Sequence, residues 1–261
     1  MKKYFLYFKI CLYQYFIYRI NFIFWRLRNF LNIIFLYFLW TSINKTNSFS
    51  YTQDQLVSYI FLINLLYAII LSTRTEEIPQ LIISGEIMNI ITKPISFFKL
   101  IITKEIVDKL VNIFFSLIEI SLLIFIFQPN FYFQKNIFSL IIMIIFIFLA
   151  IILSFFIDLI ISFLAFWSTE TWAPRFIFYI VLSILSGSIF PLDILPSTIY
   201  QLLLLTPFPY FVYFPAKLFL TPTNYSIISH LFIVLIWILI TFFLSFIMWK
   251  RGIKNYSFYG R

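Results

Sequence analysis

Glu119 and Asp158 lie inside long apolar runs, and carboxylates in such a setting are where chemistry is sought first. A charge at the bilayer centre costs at least about 2.5 kcal/mol on insertion scales, so these side chains must face a bundle interior or a cavity. Two readings stay open. One is a substrate- or proton-linked position. The other is an interhelical hydrogen bond, or for Asp158 a place near the membrane interface. Other reactive constellations are missing from the sequence. His230 is the only histidine, which leaves no H-E-x-x-H and no histidine-pair metal site. Cys11 is the only cysteine, with no base partner in view and no intrachain disulfide to form. Neither G-x-S-x-G nor the phosphate-cradling G-x-x-x-x-G-K-S/T occurs, so no enzyme activity, metal site or bound cofactor is expected of this chain itself.

A second group of residues sits between two apolar runs, in RTEEIPQLIISGEIMNIITKPISFFKLIITKE from Arg74. Pro79 suits a first helical turn, and Glu76 and Glu77 stand where a helix N-terminus favours acids. Leu81, Ile82, Met88 and Ile91 can share one helical stripe, broken by Ser84–Gly85–Glu86. Lys93–Pro94 ends the segment, because proline disfavours helix in the residue before it. Such a piece either rests on lipid or is presented to a cytoplasmic partner, and chemistry alone does not choose.

The elements that must carry these residues follow from composition. Hydrophobic residues make up 62% of the chain and charged residues 11%, with a mean hydropathy of +0.99. A water-soluble fold is about half apolar and a quarter charged, so lipid must be the solvent here. Helical spans of about 20 apolar residues are expected at 22–41, 55–72, 106–127, 137–158, 175–192 and 228–249. The fourth run is apolar enough to continue to Trp167. Residues 2–28 mix apolar side chains with Lys9, Arg19, Arg26 and Arg28, which suits a helix lying in the headgroup region. No small-residue cleavage site follows Lys2–Lys3, so a cleaved signal peptide is not expected.

The net charge of +9 is spread between the apolar runs, so topology rather than nucleic acid accounts for it. Six spans with a cytoplasmic N-terminus leave only Lys45, Lys135 and Lys217 outside, of 19 lysines and arginines. Both termini are then cytoplasmic. The connection 73–105 is the large inner one. The large outer one, 191–227, holds Pro191, Pro196, Pro207, Pro209, Pro215 and Pro222, six of the ten prolines. Its apolar stretch Thr198–Leu205 is too short to span and is expected to dip into the bilayer or pack on the outer end. One domain, 1–261, is expected, with no internal repeat.

Three strings carry a resemblance: ISGEIMNIITKPIS in the inner connection, FWSTETWAPRFIFYIVLSILSGSIFPLDILP from Phe166 to Pro196, and LLLTPFPYFVYFPAKLFL from Leu203 to Leu220. In order and spacing the chain resembles ABC exporter permeases of type 2, the branch with viologen- and daunorubicin-exporter-like subunits, over essentially its whole length. The resemblance implies an all-α integral membrane protein with six transmembrane helices, an amphipathic N-terminal connecting helix, a cytoplasmic coupling helix and an extracytoplasmic re-entrant segment. It implies a permease subunit forming half of a translocation pathway in the bacterial inner membrane, joined by a second permease (the same or a sister chain). ATP and Mg would be bound by a separate ABC ATP-binding subunit. Glu77, Ser84, Gly85, Glu86, Lys93 and Pro94 would then couple to that ATPase. Phe190, Pro191, Asp193, Pro196, Pro207, Pro209, Tyr210, Tyr213 and Pro215 would form the gate. The alternative is a proton-linked secondary transporter using Glu119 and Asp158, with no ATPase partner; it would be supported by inverted repeats.

Overall fold

The computed structural model describes residues 2–44, 51–221 and 227–256, so Lys45, Pro222 and Arg261 of the sequence reading lie outside the described residues. Helix α1 (Lys2–Ile17) is followed after one turn residue by α2 (Arg19–Asn44). Next come α3 (Gln53–Leu66, extended by a π-turn Tyr67–Leu71) and two short helices, α4 (Ile78–Ile83) and α5 (Glu86–Ile91). The chain continues through α6 (Phe97–Phe127), α7 (Ile137–Phe163), α8 (Trp172–Leu185), α9 (Ser197–Leu204), α10 (Tyr213–Leu220) and α11 (Ile227–Lys254). No strand occurs among the described residues.

Among these residues five helical stretches are long and apolar enough to cross a membrane: Arg19–Ile43, Gln53–Leu71, Phe97–Phe127, Ile137–Phe166 and Ile227–Lys254. Large apolar side chains such as Phe125, Phe148, Ile177 and Phe243 stand exposed along the bundle, as suits a chain that has lipid for its solvent. The chain is an all-α integral membrane protein. The span expected at 175–192 needs correction. Its helix, α8, has 14 residues and stops at Leu185. At 1.5 Å per residue that is about 21 Å, short of a hydrocarbon core of about 30 Å. Gly187 turns the chain out of the helix at φ +78°, and Pro191 then caps a separate 3-10 turn, Leu192–Ile194. Expected run-on of the fourth span is seen, because a 3-10 turn, Leu164–Phe166, extends α7.

The first two helices do not lie across the bundle. Tyr4 Oη accepts from the Ser96 amide, Tyr15 donates to Asp108, and Arg26 pairs with Glu119, all at offsets of 92 or 93 residues. Phe22 meets Phe115 edge to face in the same register, ring centroids 4.8 Å apart. A constant offset means that α1 and α2 run parallel to α6, which corrects the flat headgroup-region helix expected for residues 2–28. The polar side chains decide this, since Tyr4, Tyr15 and Arg26 meet successive positions from the N-cap of α6 to its middle, with Arg74 also bonding Tyr15. At 31 residues α6 is about 46 Å long, more than a membrane needs, so its first turns can carry α1 beyond the hydrocarbon.

Both ends of the described chain meet the 73–96 connection. Tyr4 reaches Ser96, and Tyr256 Oη donates to the Ile82 carbonyl. The other end of the bundle holds 186–221, tied to α2 by Trp40 Nε1 donating to the Ile189 carbonyl at 2.9 Å. Within that end α9 has no buried residue, whereas α10 is sunk into the core with Tyr213, Phe214, Ala216 and Leu220 enclosed. The Phe214 ring lies 4.6 Å from that of Phe146 on α7.

Candidate functional site

Two places combine unusual backbone, polar side chains and exposure: the α4–α5 hairpin and the proline-rich cap at the opposite end. The hairpin begins with a 3-10 turn, Thr75–Glu77, and Pro79 sits in the first turn of α4, as the sequence suggested. Gly85 adopts φ +83°, a left-handed conformation that breaks the helix and starts α5 on a new axis. That break changes the phase of the apolar stripe. Ile78, Ile82 and Ile87 are the enclosed residues, with Leu81 and Met88 half-buried, and Ile91 is exposed rather than continuing the expected stripe. The underside packs on Phe97, Ile101, Leu159 and Phe163, backed by Trp249, whose ring stacks on Phe97 at 4.5 Å. The other side presents Gln80, Ser84, Glu86, Asn89, Lys93 and Pro94 outward. Ser84 Oγ accepts from the Glu86 amide at 3.4 Å, leaving the Glu86 carboxylate exposed.

A polar strap fixes the root of this hairpin. Arg74 donates to Glu77 at 2.9 Å and to Asp108 at 3.1 Å, and Lys104 donates to Glu77 at 2.6 Å. Glu77 therefore serves two cations of its own chain, while Glu86 is the outward acid. Burial works against the Arg74 charge, but Tyr15, Asp108 and Glu77 outweigh it and hold its pKa above the usual guanidinium range. Glu105 accepts from Thr73 Oγ1 at 2.8 Å and from the Arg74 amide at 2.5 Å. Lys109 caps the end of the π-turn by donating to the Ile70 and Ser72 carbonyls, at 3.0 and 2.8 Å.

The two intramembrane acids both face cations. Arg26 Nε donates to Glu119 at 2.6 Å, with both side chains nearly enclosed. Asp158 accepts from Ser154 at 3.3 Å and from Tyr179 at 3.4 Å, with the Arg175 guanidinium 3.8 Å away. Sequence reasoning saw both acids but missed their partners. Arg26 entered it as part of an amphipathic stretch, and Arg74, Lys109 and Arg175 only through the count of cytoplasmic cations. One signal was present: Tyr15 and Arg26 are eleven residues apart, as are Asp108 and Glu119, a spacing that keeps one helical face.

At the cap, Gly187 is enclosed and its carbonyl accepts from Tyr59 Oη at 2.6 Å. The Tyr213 amide donates to the Ser186 carbonyl at 2.9 Å. Lys217 donates to Tyr200 and Tyr213 hydroxyls at 3.0 and 3.1 Å and stands 3.5 Å from Asp193, which also accepts from Tyr51. Tyr210 Oη donates to the Leu204 carbonyl at 2.7 Å and bonds His230 Nδ1 at 2.8 Å. Pro191, Pro207, Pro209 and Pro215 are buried, Phe190 is half-buried, and Pro196 is exposed at the start of α9. The structure thus gathers Asp193, Tyr213 and the cap prolines at one end and Glu86, Lys93 and Pro94 at the other. It does not bring Glu119 to Asp158, since each has its own arginine.

No group of three or more His, Cys, Asp or Glu side chains among the described residues is arranged to hold a metal. Comparison with curated proteins gives no match. A family model described as ABC-2 family transporter protein matches residues 27–260, from the third turn of α2 to beyond α11.

Proposed function

The chain belongs to the ABC-2 family of transporter proteins, and from that premise we propose that it is the permease subunit of an ATP-driven exporter. As an ABC-2 family member it is a multi-pass membrane component of an ABC transporter. The finer reading is that one domain, 1–261, forms half of a translocation pathway in a bacterial inner membrane, paired with a second permease of the same or a sister chain. ATP and Mg belong to a separate ATP-binding subunit, and this chain has no ATPase activity of its own. Both termini are cytoplasmic, α8 with residues 186–191 makes the sixth passage, and the 186–221 cap is the extracytoplasmic gate.

The hairpin carries this reading. An apolar underside clamped to α6, α7 and α11 with a polar outward face is a rigid body built to receive a push. A helix merely resting on lipid would turn the apolar side outward instead. It lies at the end that Tyr4 and Tyr256 contact, where the positive-inside bias puts the cytoplasm. Ser84 and Gly85 set its shape, and Glu86, Lys93 and Pro94 offer the contacts, with Glu77 bracing them from below.

The test is co-purification of the chain with an ATP-binding subunit. Deleting 78–91 should abolish recovery of that subunit. Glu86→Lys or Gly85→Val should leave the permease folded but release ATP hydrolysis from dependence on transport. Undiminished recovery after the deletion would contradict the proposal.

A further inference from the structure

We propose that α8 is the strut that carries movement of the hairpin to the cap, with Arg175 as the positioning residue at its foot; this rests on the reading of the hairpin as the ATPase-docking element. The case starts from what each end of α8 touches. At the foot, Arg175 is buried and its Nη2 donates to Ser162 Oγ at 2.7 Å. Ser162 Oγ shares its one proton between the Asp158 carbonyl at 2.7 Å, one turn back on α7, and the Thr75 carbonyl at 2.9 Å, in the turn that opens the hairpin. At the head, Ser186 and Gly187 directly follow α8, and their carbonyls bind the Tyr213 amide and Tyr59 Oη. Between the ends, Phe178, Tyr179 and Leu182 face the core, while Phe176, Ile177, Ile180 and Ile184 face outward and are exposed. No helix of this chain covers that outward side of α8, so within its own bundle α8 is held only along its inner side and at its two clamps.

The foot has the geometry of a two-position contact. Arg175 Nη1 is 3.8 Å from Asp158 and 3.9 Å from Glu76, is buried, and makes no hydrogen bond. Both separations exceed a direct N–H···O bond, which needs about 2.7–3.2 Å. A displacement of about 1 Å toward either carboxylate forms a direct bond to it and carries Arg175 farther from the other. Asp158 belongs to α7, and its side chain is enclosed, whereas Glu76 belongs to the hairpin root and its side chain is exposed. A hairpin pressed inward brings Glu76 onto Arg175; a released hairpin returns Arg175 to Asp158. The alternation moves α8, and α8 leads covalently into the cap. Other helices also span both ends, but α7 and α11 pack along their lengths on each other, with Phe156 and Phe242 in contact.

The experiment uses the purified complex with its ATP-binding subunit, in a Cys11→Ser background carrying one reporter fluorophore. The reporter is attached through Gln80→Cys on the hairpin or Ser197→Cys on the cap, both exposed positions, and Mg-ATP is the probe. With Arg175 intact, both reporters respond. Arg175→Gln and Glu76→Gln should each cut the cap response about tenfold while leaving the hairpin response within about twofold. Arg175→Lys, which keeps the cation, should recover most of the cap response. The glutamate variant guards against misfolding, because its side chain is exposed. A cap response unchanged in both glutamine variants, or lost equally in Arg175→Lys, overturns the strut. If the hairpin reporter is silent with Arg175 intact, the docking reading itself fails and the strut falls with it.

Discussion

The Arg26–Glu119 pair illustrates how single residues hold this bundle in register. Removing one member leaves an uncompensated ion near hydrocarbon, which costs at least about 2.5 kcal/mol on insertion scales. Removing both loses only the pair's net worth, and polar contacts between membrane helices average about 0.6 kcal/mol. Arg26→Met should therefore lower the thermal unfolding midpoint in detergent markedly, while Arg26→Met with Glu119→Leu should lie close to the parent. Equal losses in the two proteins would show that the pair does not set the register of α2 on α6. Gly187 is a second residue on which geometry bears directly. A Cβ there would lie 2.7 Å from Tyr213 Cβ and 3.1 Å from Tyr59 Oη, at a φ of +78°. The left-handed conformation alone costs a non-glycine about 1–2 kcal/mol, so Gly187→Ala should destabilise by at least that much. An unchanged midpoint would mean that the Ser186–Gly187 turn is not the fixed point described above.

At the scale of elements, the hairpin depends on helices distant in sequence. Trp249 on α11 stacks on Phe97 and lies 5.2 Å from the Phe163 ring, beneath Ile82 and Ile87. Aromatic pairs add about 0.5–1.5 kcal/mol beyond area burial. Trp249→Ala should speed amide exchange in 78–91 by roughly threefold to tenfold, measured by hydrogen-exchange mass spectrometry. Exchange in that segment equal to the parent's would remove α11 from its support. Five long helices were legible in the sequence because hydropathy over about 20 residues reads directly as span length. The end of α8 was not. Ile189 and Phe190 carry the expected span past the stop signal of Ser186–Gly187–Ser188, where the backbone shows that the helix has ended. The α4–α5 break was readable as Ser84–Gly85–Glu86, but the resulting change of inward face was not, since phase after a left-handed residue depends on its ψ.

For the whole molecule, charge bias predicted that both termini share an end with the 73–105 connection, and Tyr4 and Tyr256 both contact that connection. The sinking of α10 into the core was less visible, because TPFPYFVYFPAKLFL reads as an outer apolar stretch with no depth attached. Depth comes from Tyr210 and Phe214 packing on Phe146, contacts between residues more than sixty positions apart. The bundle has an exposed polar hairpin at one end, a tyrosine- and proline-rich cap at the other, and a short helix joining them. On the proposed function the hairpin receives an ATP-binding subunit. The most direct measurement is site-specific photo-cross-linking in cells, with a photoreactive amino acid replacing Asn89 on the hairpin or Ile199 on the cap, both exposed. The account predicts a cross-link to the ATP-binding subunit from position 89 and none from position 199; a cross-link from 199, or none from 89 in the assembled complex, would contradict it.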